Sequence, residues 1–241
     1  MFERILTITK KELNGFYNSP VAYIITGLFL VFMSVWLFFI QRFIDRNAAD
    51  LLIFFSVIPF VFMFVIPALT MRSWAEEKKM RTDEILLTLP FREVELVIGK
   101  FIAPFILLTA MLVLTLPIPL ALSALGDFEW GQIIGQYIGV VFFGAACISL
   151  GLFISALSTN QIISFILSTV SLFFIIIVTD FIQQAIPVPA IAGFVGWFSF
   201  RTHYETLSNG LIDTQDLLFY IIMSVFFLYL NTRTLIFKKW S

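Results

Sequence analysis

The chain is 241 residues long, 60% hydrophobic and 17% aromatic, with only 13% charged residues and a net charge of −1. Soluble domains carry about 25% charged residues, so an ordinary water-facing surface is excluded and the apolar excess must face lipid. The near-neutral charge removes nucleic acid as a partner class, and the single Cys147 cannot form a disulfide within the chain.

Residues 1–20 read as an amphipathic helix. Phe2, Ile5, Leu6, Leu13, Phe16 and Tyr17 recur near helical spacing, while Glu3, Arg4, Lys10, Lys11 and Asn14 occupy other faces. Such a helix lies in the membrane plane with its bases toward the headgroups. Pro20 ends it and turns the chain into the first apolar run.

Six runs are candidates to cross the membrane, at 21–40, 51–70, 101–122, 133–157, 162–182 and 217–236. Each is close to or above the roughly 20 residues that a spanning helix needs. The first is longer than the roughly 7–15 residues of a signal-peptide core and lacks a small-x-small cleavage pattern, so it reads as a retained span. Pro59, Pro67, Pro104, Pro117 and Pro119 fall in the second and third runs. They act either as hinges or as local kinks that improve packing.

Between those two runs lies the one long polar interruption, residues 71–100, with six of the 15 Lys and Arg and six of the 16 acids. Its spacing predicts a helix over 74–89, stopped by Pro90. Glu77 and Arg81 stand four apart, as do Lys79 and Asp83, which predicts ion pairs along the polar face. Ile85, Leu86 and Leu89 gather as an apolar patch, and 91–100 resumes as an amphipathic lead into the third run. Physics at this level leaves the segment either a docking element or a plain connector.

Basic residues divide unevenly between the two sides that six spans define. Twelve of the 15 accompany the termini and the 71–100 segment, against Arg42, Arg46 and Arg201 opposite. The positive-inside bias predicts that both termini and the segment are cytoplasmic. Gly131, Gly135 and Gly139 stand four apart at the start of the fourth run and permit close helix approach, as an intrasubunit contact or a dimer seam. Asp180 is the sole acid inside a run, and a rise of about 1.5 Å per residue puts it near the outer interface. Segment 183–215 carries Pro187, Pro189, Gly193, Gly196 and Trp197, which predicts two short half-helices dipping into the outer leaflet. His203 is the lone histidine and is expected to be structural, because metal sites gather several ligands.

The run from Glu76 to Pro90, EEKKMRTDEILLTLP, followed by Gly99-Lys100, resembles the signature of ABC-2 type transporter permeases. Those proteins read approximately E-E-K/R-x-x-x-T-x-E-x-L-L-x-x-P after the second span and G-K before the third. Lys11-Glu12-Leu13, Tyr17-Asn18-Ser19-Pro20, Ala22-Tyr23-Ile24, the run from Phe198 to Glu205, the run from Asn209 to Asp213 and Lys239-Trp240 extend the likeness to nearly the whole chain. It is most similar to the permease subunit of the gliding-motility ABC transporters of Bacteroidetes and related bacteria.

The resemblance implies an all-α polytopic fold with six transmembrane helices, forming one domain over 1–241 in a bacterial inner membrane. Within it, 1–20 is an interface helix, 71–100 a cytoplasmic coupling segment and 183–215 an extracytoplasmic re-entrant segment that forms an outer gate. Glu76, Glu77, Arg81, Thr82 and Glu84 become the ATPase-coupling residues, and Lys10, Lys11 and Glu12 mark the interface helix beside the ATPase. The implied partners are a cytoplasmic ABC ATPase, a second permease-like subunit or another copy, a periplasmic auxiliary subunit and the lipid bilayer. The chain has no G-x-x-x-x-G-K-S/T phosphate loop, so ATP and Mg are expected in the partner and no cofactor or metal here.

Three other readings meet the same residues. Glu76-Glu77-x-x-x-Arg81 is also a pattern of intramembrane proteases, but that chemistry needs histidines, and His203 is expected across the membrane. A secondary transporter would show inverted repeats and charged midplane sites, which the sequence lacks. A membrane anchor or scaffold that transmits force without moving a solute stays open.

Overall fold

A computed structural model describes residues 2–43, 50–82, 91–124, 126, 128–186, 193, 196–211 and 213–240. Its regular elements are all helical among the described residues. Six helices are long and apolar enough to cross a membrane: Pro20–Ile40, Ile58–Lys79, Glu93–Leu122, Trp130–Leu157, Gln161–Ile182 and Thr214–Phe237. This is the all-α polytopic architecture expected from the sequence.

The N-terminal helix α1 covers Phe2–Tyr17. Ser19 then caps α2 (Pro20–Val35) by accepting the Val21 N–H, and Pro20 sits in the first turn, where a missing donor costs nothing. The first span finishes in a π turn, Trp36–Ile40. The second span departs from the predicted 51–70 run. A short helix α3 (Leu52–Ser56) precedes α4 (Ile58–Thr70), and Pro59 lies in the first turn of α4. This proline starts a helix instead of kinking one. A turn over 71–74 leads on to α5 (Ala75–Lys79).

The third span begins at Glu93, eight residues before the expected start. The Glu95 carboxylate accepts the Arg92 N–H at 2.9 Å and satisfies one free donor at the head of α6 (Glu93–Val113). Pro117 starts α7 (Pro117–Leu122), so of the five prolines Pro67 and Pro104 are those inside longer helices. The remaining elements are α8 (Trp130–Leu157), α9 (Gln161–Phe173) with a π turn at Phe174–Val178, α10 (Thr179–Ala185), α11 (Phe200–Ser208) and α12 (Thr214–Trp240).

The core forms around α8, the most enclosed span. Phe143 stacks on Phe62 at 5.9 Å and meets Tyr204 at 5.0 Å and Tyr220 at 5.8 Å. Small residues let neighbours close on the same helix. A Cβ at Gly144 would overlap Leu108, and one at Gly151 would overlap Thr70. Helix α11 is packed into the bundle: the Tyr204 hydroxyl donates to the Phe55 carbonyl, and the Tyr220 hydroxyl to the Phe200 carbonyl, both at 2.7 Å. The two half-helices expected within 185–200 fall largely outside the described residues, which lack 187–192, 194–195 and 212; α11 follows them.

Replacing Gly144 by Ala forces Leu108 and Phe62 to move and is expected to cost about 1–3 kcal/mol. Gly131→Ala meets open space and is expected to change stability by no more than about 0.5 kcal/mol. Thermal unfolding in detergent, followed by intrinsic fluorescence, measures both.

Candidate functional site

One end of the bundle carries most of the basic residues and gathers α1, the 71–82 segment and the head of α6. Helix α1 lies against α6 by residues four apart, as a helix face requires. Arg4 pairs with Glu95 at 3.7 Å, Ile8 sits over Gly99, and the Thr9 hydroxyl reaches the Gly99 carbonyl at 3.3 Å. Gly99 is required for this approach, since a Cβ there would stand 2.6 Å from Ile8 Cγ2. Ile5, Ile8 and Thr9 are buried, whereas Phe2, Leu6 and Tyr17 are exposed. The helix therefore has a protein face separate from the lipid face that periodicity predicted.

One turn further along, the two helices meet at a buried charge. Lys100 is 2% exposed. Its ammonium lies 2.9 Å from Glu12 Oε1, 3.0 Å from Glu77 Oε1 and 2.6 Å from the Ser73 carbonyl. An ammonium has three donors, and here each has an acceptor. The Trp74 ring covers the ammonium at 4.7 Å. Lys11 adds a second cation, 3.2 Å from Glu77 Oε1 and 3.9 Å from Glu12 Oε1. Two cations and two carboxylates thus join α1, α5 and α6 in a balanced cluster.

The same segment is held from a fourth side. Trp74 offers no side-chain cap to α5, so the first N–H groups of the helix need an acceptor from elsewhere. Ser155, near the end of α8, supplies it. Its hydroxyl accepts the Trp74 and Ala75 N–H groups at 3.2 and 3.3 Å and donates to the Met71 carbonyl at 3.2 Å. The Lys78 ammonium donates to the Ala156 carbonyl.

The predicted helix over 74–89 does not continue through its middle. Arg81 has φ 55°, a left-handed conformation that closes α5 after Met80. The expected Glu77–Arg81 pair is replaced by Glu77 with Lys11 and Lys100. Among the coupling candidates, Arg81 is exposed, Glu76 and Thr82 are half-buried, and Glu77 is buried and turned inward. Glu84, Asp83 and the patch of Ile85, Leu86 and Leu89 lie outside the described residues. On the interface helix, Lys10 is exposed, whereas Lys11 and Glu12 point to the cluster. Lys79, expected from the sequence only as a partner of Asp83, and Met80, which the sequence did not single out, join Arg81 on the open face.

The other singled-out residues sit at the far end. Gly139 packs on Leu207 of α11, so this glycine makes an intrasubunit contact; Gly135 is buried and Gly131 meets open space. Asp180 is paired with Arg201 at 3.6 Å. His203 is buried, with Nδ1 2.6 Å from Asp216 Oδ1, Nε2 3.0 Å from the Trp197 carbonyl, and its ring stacked on Phe219. No cluster of three metal-ligating side chains occurs among the described residues. Along α8, Gly139 marks the level of α11 and Ser155 the level of α5, a rise of about 24 Å. Glu76 and His203 therefore cannot converge on one substrate, which removes the protease arrangement.

Sequence reasoning missed Lys100 as a structural centre and Ser155 altogether. A signal for Lys100 was present. Its helical neighbours Leu96, Val97, Ala103 and Pro104 offer no carboxylate, so a lysine entering an apolar run there needed partners from another element. Ser155 carried no comparable signal, because a lone serine in an apolar helix usually bonds to its own backbone.

The sequence profile of ABC-2 family transporter proteins matches residues 43–235, four-fifths of the chain, beginning after α1 and α2. Among curated proteins, none matches the chain.

Lys100→Met leaves Glu12 and Glu77 with the exposed Lys11 as their one shared cation and removes the buried one, and is expected to cost on the order of 3–5 kcal/mol. Adding Glu77→Gln to that variant recovers part of the loss. A double-mutant cycle on thermal unfolding in detergent reads the coupling between the two positions.

Proposed function

The chain belongs to the ABC-2 family of transporter proteins, and from that premise we propose that α5 and the turn after it form the surface through which a cytoplasmic ATPase drives it. The family makes it a membrane-spanning permease component whose ATPase is a separate subunit. We assign the basic end to the cytoplasm, with both termini there, in a bacterial inner membrane.

The observation that carries the reading is the way α5 is mounted. It is short, joined to the cluster on α1 and α6, and tied to the end of α8 by Ser155 and Ala156. A load on its open face is therefore delivered to several spans. Glu76, Arg81 and Thr82 are the contact residues in this reading, joined by Lys79 and Met80, and Glu84 completes the predicted set. Glu77 anchors the element. Lys10 extends the same face from α1. Closure of the ATPase does work on the permease because it binds one permease conformation better than the other.

The permease acts with a second permease-like subunit or another copy and with a periplasmic auxiliary protein; α11, wedged between α3, α8 and α12, serves as the outer gate. Gly131, open on the surface, is available to the subunit seam. The N-terminal and C-terminal likenesses favour a role in gliding motility. If the reconstituted complex hydrolyses ATP without moving any solute, the anchor reading replaces transport.

Arg81→Glu combined with Met80→Asp is expected to weaken ATPase association by about tenfold or more while leaving the melting temperature of the permease unchanged. Co-purification and permease-dependent ATP hydrolysis measure this. Unchanged association and hydrolysis would rule out α5 as the coupling surface.

A further inference from the structure

A cavity of about 600 Å³ opens beside the Lys100 cluster, between α1, the head of α2 and the end of α4. Its polar wall includes Lys11, Arg72 and Lys100 as cations and Glu12, Glu76 and Glu77 as anions, so the charges balance. They are not all satisfied by one another. Lys100 is committed to Glu12, Glu77 and Ser73, and Lys11 to Glu77. Arg72 donates from Nη1 to the Ser19 hydroxyl at 3.3 Å, but its Nε is buried without an acceptor. Glu77 uses Oε1 for both lysines, and its Oε2 is buried without a donor. Those two atoms are enclosed, but the Arg72 guanidinium and the Glu76 carboxylate both line the cavity without an ion pair among the described residues, so the wall retains one unpaired cation and one unpaired carboxylate.

The opposite wall is apolar and leads somewhere. Ile25 and Ala68 line this cavity and also line a groove of about 390 Å³ between α2, α4 and α9. Leu28, Phe32, Phe60 and Phe64 border the groove and are exposed, so in a membrane it opens sideways onto acyl chains. From Phe60 to Ala68 it follows about 12 Å of helix, close to half of a hydrocarbon core about 30 Å thick. A polar compartment at the membrane surface thus continues into an apolar channel one leaflet deep.

We propose that these joined compartments bind a zwitterionic aminophospholipid of the phosphatidylethanolamine type, its phosphate on Arg72, its ammonium on Glu76 and Glu77, and one acyl chain in the groove. Charge complementarity selects this occupant. An anionic headgroup without an ammonium leaves the carboxylates unmet and adds charge to a balanced wall. A choline headgroup carries the positive charge but has no N–H to donate. The bound lipid braces α1 against α2 and α4, on the face of the cluster that the protein leaves open. The inference rests on the chain spanning a membrane and not on the cargo; Glu76, which the coupling reading also turns to the ATPase, lines this cavity, so the test below uses the permease without its ATPase.

The test uses the full-length chain in detergent, offered phosphatidylethanolamine, phosphatidylcholine and phosphatidylglycerol of identical acyl composition, with retained lipid counted by native mass spectrometry. One phosphatidylethanolamine per chain is expected to be retained about tenfold over either competitor, the scale of losing a charge-assisted hydrogen bond. Arg72→Gln and Glu76→Gln each remove that preference. Ala68→Phe, which fills the neck between the compartments, reduces retention of all three lipids. Helicity and elution volume confirm that each variant is folded. Equal retention of the three lipids overturns the proposal, as does preference for phosphatidylglycerol. Displacement by free phosphoethanolamine at the lipid's own concentration also overturns it, since the site would then take a soluble ligand. Wild-type selectivity in both Arg72→Gln and Glu76→Gln would exclude this cavity.

Discussion

A buried ammonium decides how the basic end of this protein is built. Lys100 enters the membrane-spanning part of α6 at 2% exposure, where an unpaired charge would cost several kcal/mol. Its three donors can be met only if Glu12, Glu77 and the Ser73 carbonyl arrive together. These belong to α1, to α5 and to the turn before it. None of the three can move independently without stranding the lysine or a carboxylate. Gly99, one residue earlier, lets α1 come close enough for Glu12 to reach.

That constraint gives the short helix α5 its mechanical meaning. Five residues of helix have little stability by themselves, because nucleation is unfavourable and propagation is brief. Here the element is held by ion pairs on one side and by the Ser155 hydroxyl on the other. It is stiff through its attachments, with Lys79, Met80 and Arg81 left outside. The far end of the bundle is held differently, by tyrosine hydroxyls on carbonyls and by the stacked His203 with Asp216. Between the ends runs α8, whose glycines at 144 and 151 seat Leu108 and Thr70. A displacement at Ser155 can reach Gly139 and α11 through one continuous helix. Proline-containing α4 and α6 flank this helix.

The fold was legible in the sequence because lipid imposes a length on apolar runs, and six such runs are present. Their boundaries were less legible. Pro59 reads as an interruption in a hydrophobic stretch yet serves as a helix start, and the third span starts at Glu93 because the Glu95 carboxylate accepts the Arg92 N–H there. The 71–100 segment stood out by its charge, but its inner and outer faces were confused. Glu77 was expected to pair with Arg81 four residues on, a local rule worth only tenths of a kcal/mol. A buried lysine 23 positions later offers far more, and no local rule registers a partner at that distance. The left-handed Arg81 was hidden for a similar reason: helix propensity runs unbroken through 74–89, while the tertiary anchors of α5 end at Lys78 and Glu77. His203 was read as structural or interfacial because a solitary histidine cannot assemble a metal site; its partner Asp216 lies on the next helix, a distance no local rule registers.

Hydrogen exchange on the Glu12→Gln variant tests the central claim most directly, because it weakens one ligand of Lys100 with little change in shape. If the buried ammonium holds three elements as one unit, amides in 71–80 and at the head of α6 exchange faster, by about tenfold or more, although the substitution is on α1. The centre of α8 keeps its wild-type protection. Faster exchange confined to α1, with 71–80 unchanged, would contradict the account and leave α5 mounted by Ser155 alone.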